Sequence, residues 1–163
     1  MRLKGSCHCG AVKFSVTSTT PYPFMRCYCS ICRKTAGGGG YAVNIMGTAK
    51  SLKVKGEQNV RAYRARIAQG KGKRKALSEA RRNFCSQCGS ALWVWDPRWP
   101  DWIYPFASAI DTPLPKPMEE VEIMTNYAAP WVEIPDGPEH THFDEYPEES
   151  IADWHRKRLL EVP

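Results

Sequence analysis

The sequence predicts a mainly β domain closed by a short C-terminal helix. Short apolar stretches recur along the chain, Gly or Pro separates them, and a single segment near the end carries helix-boundary signals. In "AVKFSV" (11–16), apolar Val12, Phe14 and Val16 alternate with polar Lys13 and Ser15, the period-two pattern of a half-buried strand. "YAVNIM" (41–46), "SLKVKG" (51–56), "VRAYRAR" (60–66), "ALWVWD" (91–96) and "VEIMTN" (121–126) are the further strand candidates. "AGGGG" (36–40) has too much backbone freedom for a stable helix and reads as a loop, suited either to close approach of a ligand or to plain linkage. "YPEESIADWHRKRLL" (146–160) places Pro147 and two acids at a helix start and basic residues at its end, with Ile151, Trp154 and Leu159 expected to face the core.

The 163 residues suit a single domain spanning 1–163, and no linker or internal repeat marks a second. No apolar run approaches the ~20 residues that span a bilayer, and "MRLKGSCHCG" has no apolar core of a secretory signal. The expected compartment is the reducing cytoplasm, where disulfides are rare. Seven cysteines there need another reason, and they are not scattered. They form three knots: Cys7 and Cys9 in "CHCG", Cys27, Cys29 and Cys32 in "CYCSIC", and Cys85 and Cys88 in "CSQCGS".

Close pairs separated by long intervals are the pattern of distant turns converging on one ion. Thiolates select zinc or iron–sulfur, and the ferredoxin run ending in C-P is absent, so zinc is expected. The two pairs share a feature that the triplet lacks, a glycine directly after the second cysteine: Gly10 and Gly89. Glycine there permits positive φ and turns backbone N–H groups toward the sulfurs. Cys7, Cys9, Cys85 and Cys88 therefore read as one closed, structural zinc site. Cys27, Cys29 and Cys32 remain as three ligands with an open position, the arrangement of a reactive zinc. Cys29 and Cys32 also spell C-x-x-C, but the adjacent Cys27 and the lack of a βαβ pattern favour metal over a redox dithiol.

"GSCHCGAVKFSV", "RCYCSICRKTAG" and "FCSQCGSALW", in this order, resemble the three motifs of the glutathione-dependent formaldehyde-activating family, whose domain is shared by relatives of centromere protein V. "APWVEIPDG" and "ESIADWHRK" resemble C-terminal features of bacterial members. The resemblance implies a small zinc-bearing β-sandwich of the "Mss four"-like type, with a zinc-binding core over about 3–127 and a C-terminal extension over about 128–163. It implies two Zn²⁺ per chain, a structural ion on Cys7, Cys9, Cys85 and Cys88 and a second, catalytic one on Cys27, Cys29 and Cys32. Glutathione is the implied co-substrate, formaldehyde or a related small aldehyde its acceptor, and a carbon–sulfur lyase making S-(hydroxymethyl)glutathione the implied activity. Arg33 and Lys34, directly after the triplet, are candidates to attract glutathione's carboxylates. Two departures stand out: Tyr28 occupies a position where many members have histidine, and the stretch before "RNFC" is long and basic.

That basic stretch raises a second possibility. Residues 1–82 carry 18 Lys and Arg against 2 acids, while residues 83–163 carry 5 against 15. Nine of the basic residues fall within 61–82, beside a lone Glu79. A nucleic-acid or protein interaction module would use such a block. With no aromatic interleaved in 64–83 to stack on bases, a solvated face is the preferred reading. A thiol carrier that binds without accelerating a reaction is the other alternative. His140 and His142, in a Pro- and acid-rich stretch, read as a surface loop rather than a third metal site. Trp93, Trp95, Trp99 and Trp102 are expected in core and rim packing.

Overall fold

The computed structural model describes residues 1–68 and 74–163. The described strands begin with β1 (Arg2–Ser6), β2 (Lys13–Thr17), β3 (Met25–Cys27), β4 (Ala42–Val43) and β5 (Gly47–Thr48). They continue with β6 (Lys53–Lys55), β7 (Val60–Tyr63), β8 (Arg66–Ala68), β9 (Lys75–Leu77) and β10 (Arg81–Cys85). β11 (Ala91–Trp95), β12 (Trp102–Pro105), β13 (Glu120–Ile123) and β14 (His140–Phe143) complete the set. Helix α1 (Ser30–Thr35) follows β3, and α2 (Ile151–Lys157) lies near the C-terminus. The protein is thus mainly β with a short C-terminal helix. No described helix is long and apolar enough to cross a membrane.

The strands assemble into a three-stranded sheet β1-β2-β6, a five-stranded sheet β5-β12-β11-β10-β7, a four-stranded sheet β14-β13-β3-β4 and the β8-β9 hairpin. The alternation in "AVKFSV" works as expected: Val12, Phe14 and Val16 are all buried. With Leu3, Leu92, Trp93 and Ile103 they fill a core between the three- and five-stranded sheets, the two layers of a sandwich. Strand β11 serves two cores because its register against β10 slips by one residue. Asn83 pairs with Trp93 and Phe84 with Ala91, which leaves Leu92 as the extra residue of a bulge. Leu92 and Trp93 consequently both enter the first core, while Ala91 and Val94 pack against a second.

The second core holds Phe24, Phe106, Val121, Ile123 and Trp154 together with the cysteine triplet. Its sheet is unusual in having β13 run parallel to both neighbours, β3 and β14. Glu122 consequently faces Arg26 on one side and His142 on the other, and Ile123 lies between Cys27 and Phe143. "HTHF" is therefore a strand and not the surface loop expected from its polar surroundings; pairing with β13 supplies what its own composition does not.

Helix α2 is capped by Ser150, whose Oγ accepts from the Asp153 N–H, so Pro147 and the acids Glu148 and Glu149 lie ahead of it. Trp154 faces the core as expected and stacks on Phe24 with ring centroids 3.7 Å apart. His155 beside it is fully buried, its Nε2 accepting the Tyr22 N–H and its Nδ1 2.8 Å from the Ile151 carbonyl. Leu159 does not face the core. The helix stops at Lys157, Leu159 adopts φ +56, and its side chain is exposed, while Leu160 packs inward in its place. Trp154→Ala should cost about 3–5 kcal/mol as a large buried aromatic. For a chain of this size that lowers Tm by roughly 6–20 °C, measurable by calorimetry. An unchanged Tm would make the helix an appendage.

The basic stretch is exposed where it is described. Arg61, Arg64, Arg66, Arg74, Lys75 and Arg81 are open to solvent, whereas Lys71 and Lys73 lie outside the described residues. Of the tryptophans, Trp93 is buried and Trp99 and Trp102 lie at the surface, the division expected of core and rim.

Candidate functional site

Cys7 and Cys9 sit in the turn between β1 and β2; Cys85 ends β10, and Cys88 lies in the turn to β11. Both turns close through backbone bonds, Gly10 N–H to the Cys7 carbonyl at 3.0 Å and Gly89 N–H to the Cys85 carbonyl at 2.8 Å. The two glycines adopt φ +75 and +74, with open space where a Cβ would stand, so backbone conformation rather than crowding calls for glycine. The His8 N–H donates to Ser90 Oγ at 3.1 Å and ties one turn to the other. The sulfurs of Cys7, Cys9, Cys85 and Cys88 all lie within 4.8 Å of one another. Cys7 and Cys9 are 3.5 Å apart, Cys9 and Cys85 3.9 Å. A tetrahedron with Zn–S bonds of about 2.3 Å has edges of about 3.8 Å, which these spacings bracket.

Charge at this cluster is distributed unequally. The hydroxyl and backbone N–H of Ser90 hold Cys88 down at about 5. Cys9 is pushed up to about 11: the Ala11 N–H opposes this, and hydrogen bonds with Cys7 and Cys88 outweigh it. Four thiols this close cannot all ionise without a cation between them, and the donor set suits a soft divalent ion.

The triplet is built differently, on a strand–turn–helix. Cys27 ends β3, Cys29 is the N-cap of α1 and Cys32 lies in its first turn. The cap is a sulfur: Cys29 Sγ accepts from the Cys32 N–H at 3.3 Å, the role Ser or Asp usually plays. The Tyr28 N–H donates to the Ile123 carbonyl at 3.0 Å and fixes the turn to β13. All three sulfurs lie within 4.8 Å of one another and all are buried, in contrast to the four-sulfur cluster, where Cys9 and Cys88 are exposed. Cys29 is held down at about 2 by hydrogen bonds from Cys27 and Cys32, and the same contacts drive Cys27 far up. Cys32 rests at about 11: its bond with Cys27 lowers it, its bond with Cys29 and burial raise it, and the positive charge of Arg82 pulls it down. Among the described residues, no fourth Cys, His, Asp or Glu joins this group.

Arg33 and Lys34 leave the triplet on α1 and line a cleft of about 660 Å³. His8, Ser90, Ser108 and Asp111 line it as well. The cleft abuts Cys7 and contains no triplet sulfur; Ala91, which also packs on the triplet's core, forms the wall they share.

The sequence profile described as glutathione-dependent formaldehyde-activating enzyme matches residues 2–125. The chain belongs to this family. A curated Halomonas elongata protein, provisionally named a glutathione-dependent formaldehyde-activating enzyme, is 54% identical over 161 residues, 99% of each chain. A crystal structure of a Rhodobacter sphaeroides protein superposes with a TM-score of 0.51 at 26% identity, covering 69% of this chain and 91% of that one. The family match ends at residue 125, yet the sequence match to the Halomonas relative extends through the residues that form β14 and α2 here.

In this formaldehyde-activating family member, the departure at Tyr28 has a structural partner that sequence reasoning missed. Tyr28 is fully buried and its hydroxyl donates to Glu122 Oε2 at 2.8 Å. Burial, and then Glu122, push the phenol's pKa up, which keeps it a donor. Glu122, also fully buried, lies 3.0 Å from His140 Nδ1, and Arg26 bonds both Glu122 and Glu120. Glu120, Glu122 and His140 could hold an ion by distance alone, but the Arg26 guanidinium already compensates the two carboxylates. The network braces the turn that carries Cys27 and Cys29. The alternating acids of "EEVEI" are the available signal, since an acid in a strand buried on both faces needs a partner.

Proposed function

We propose that this protein is a zinc-dependent carbon–sulfur lyase that joins the thiol of glutathione to formaldehyde, or to a related small aldehyde. The observation that carries this reading is a buried triplet of sulfurs, Cys27, Cys29 and Cys32, with no fourth protein ligand among the described residues. Cys7, Cys9, Cys85 and Cys88 are read as holding a separate, structural ion. Zinc held by the triplet would supply the cation that lowers the pKa of an incoming thiol.

The chain's own residues orient the thiol and keep water away. Arg33 and Lys34 attract the two carboxylates, and α1 joins them directly to Cys29 and Cys32. Phe24, Phe106 and Trp154 surround the triplet with apolar surface. As the carbon–sulfur bond forms, the carbonyl π pair moves to oxygen, which takes the proton given up by the thiol. The balance needs no oxidant or reductant.

Formation of S-(hydroxymethyl)glutathione with and without zinc-loaded protein tests the reading, because thiol addition to formaldehyde also proceeds unaided. Acceleration at catalytic protein concentration supports it. Tight glutathione binding without acceleration would make the protein a carrier. Replacing Arg33 and Lys34 together by Gln should weaken glutathione binding by about tenfold or more, the size of one lost charge-assisted contact. Unchanged affinity in calorimetry would move the carboxylate site elsewhere.

A further inference from the structure

Three Arg, Lys, Asp or Glu side chains line the cleft of about 660 Å³: Arg33 and Lys34 from α1, and Asp111 from the segment after β12. No ion pair among the described residues uses any of the three. Asp111 is nonetheless held in place by its backbone. Its N–H donates to the Lys4 carbonyl of β1 at 2.8 Å, and Ile110 before it bridges to Gly5. Thr112 after it accepts the Lys4 N–H on its Oγ1, also at 2.8 Å. The Asp111 side chain is exposed, so its carboxylate is a fixed charge at the cleft that no described cation neutralises.

The glycine loop after α1 forms another part of the cleft, and its glycines are not alike. A Cβ on Gly37 would collide with the Tyr41 carbonyl, and one on Gly40, at positive φ, with the Val132 side chain. Packing therefore accounts for both. Gly38 lines the cleft, does not adopt positive φ, and a Cβ there would meet no atom within 4 Å. Neither conformation nor crowding calls for glycine at 38. A ligand lying against the backbone does.

Glutathione carries two carboxylates and, because its glutamyl residue is linked through the side chain, one free α-ammonium. Two cations and one carboxylate in the cleft are the inverse of that set. We propose that the cleft selects γ-glutamyl thiols, with Asp111 receiving the free ammonium and Gly38 letting the peptide lie against its backbone. The inference rests on the lyase reading above, in which Arg33 and Lys34 attract the carboxylates. It adds the group that tells glutathione from other acidic thiols. The cleft's volume falls within the ~300–1,000 Å³ of small-molecule sites. Arg33 directly follows Cys32 on α1, so a single peptide bond joins the cleft to the triplet. Asp111 holds the end of the substrate away from the reacting sulfur and carbon, which makes it a positioning residue. Its contact is the same before and during reaction, so its loss belongs in KM and not in kcat.

The test compares glutathione with glutaryl-cysteinyl-glycine, which keeps the thiol and both carboxylates and has hydrogen in place of the ammonium. Calorimetry on the zinc-loaded full chain should find glutathione bound about fivefold more tightly, the scale of one ion pair open to solvent. Asp111→Asn should abolish that preference and leave the affinity for the analogue unchanged. In kinetics it should raise KM for glutathione by about fivefold at constant kcat. A purely structural role would weaken both thiols alike. That result, or an Asp111→Asn protein that keeps the preference, overturns the inference. Gly38→Leu should melt with wild type and bind glutathione at least about tenfold more weakly, since its side chain takes space the peptide needs. Wild-type affinity in Gly38→Leu would also overturn the inference, and this variant decides alone should Asp111→Asn fail to fold. The lyase reading fails separately: a preference that depends on Asp111, without accelerated adduct formation, keeps the site and makes the protein a carrier. Acceleration by wild type with no role for Asp111 leaves the lyase reading standing and removes the inference.

Discussion

Cys85→Ser protein should unfold or aggregate on expression. Cys85 is fully buried, ends β10, and packs in the core shared by the three- and five-stranded sheets. Its sulfur lies 3.9 Å from that of Cys9, which belongs to the turn between β1 and β2 of the other sheet. A hydroxyl is a poor zinc ligand, so the substitution would remove the contribution of an ion held by the four sulfurs as well as a well-packed sulfur. Structural zinc contributes apparent free energies on the order of 10–16 kcal/mol, as large as the whole stability of about 5–15 kcal/mol of an ordinary domain. Circular dichroism and metal content of the soluble fraction report the outcome. A soluble Cys85→Ser protein with the wild-type melting curve would remove Cys85 from the structural role.

Cys29→Ser should behave differently, and the structure makes it a clean comparison. Cys29 Sγ caps α1 by accepting the Cys32 N–H, and serine is among the best residues at an N-cap. The helix should therefore keep its start while the triplet loses a ligand. Zinc per chain should fall from about two toward about one, since each tetrahedral site holds a single ion. The glutathione-dependent change in the cobalt spectrum should disappear with it. Cys29→Ser protein that retains full metal and the full response would end the triplet's claim to be the reactive site. Loss of the entire fold would instead make all seven cysteines structural.

The sequence was most legible where one residue's conformation is forced. Gly10 and Gly89 mark positive-φ turns, and the sulfurs that flank them are the ones the structure gathers. Val12, Phe14 and Val16 read correctly because a half-buried strand imposes a period of two. Contacts made at long range were hidden. Glu122 lies 94 residues from the Tyr28 hydroxyl it accepts from, and nothing local announces that pair. The cap at Cys29 was missed because cysteine is rarely a cap, so α1 carried no start signal. Helical spacing places Leu159 inward, but the helix ends before it, at Lys157.

The parallel pairing of β14 on β13 bears on where this chain could be cut. The family profile stops at residue 125, two residues past the end of β13, and a fragment trimmed there would look complete by sequence. It would not be complete as a sheet. Removing β14 strips β13 of one of its two neighbours and bares a row of unpaired N–H and C=O groups beside Val121 and Ile123. Such an edge recruits the same edge of another molecule, so the trimmed fragment should form intermolecular β-structure and precipitate with concentration. The last strand works as a selvedge: it finishes a border that would otherwise go on adding strands from other chains.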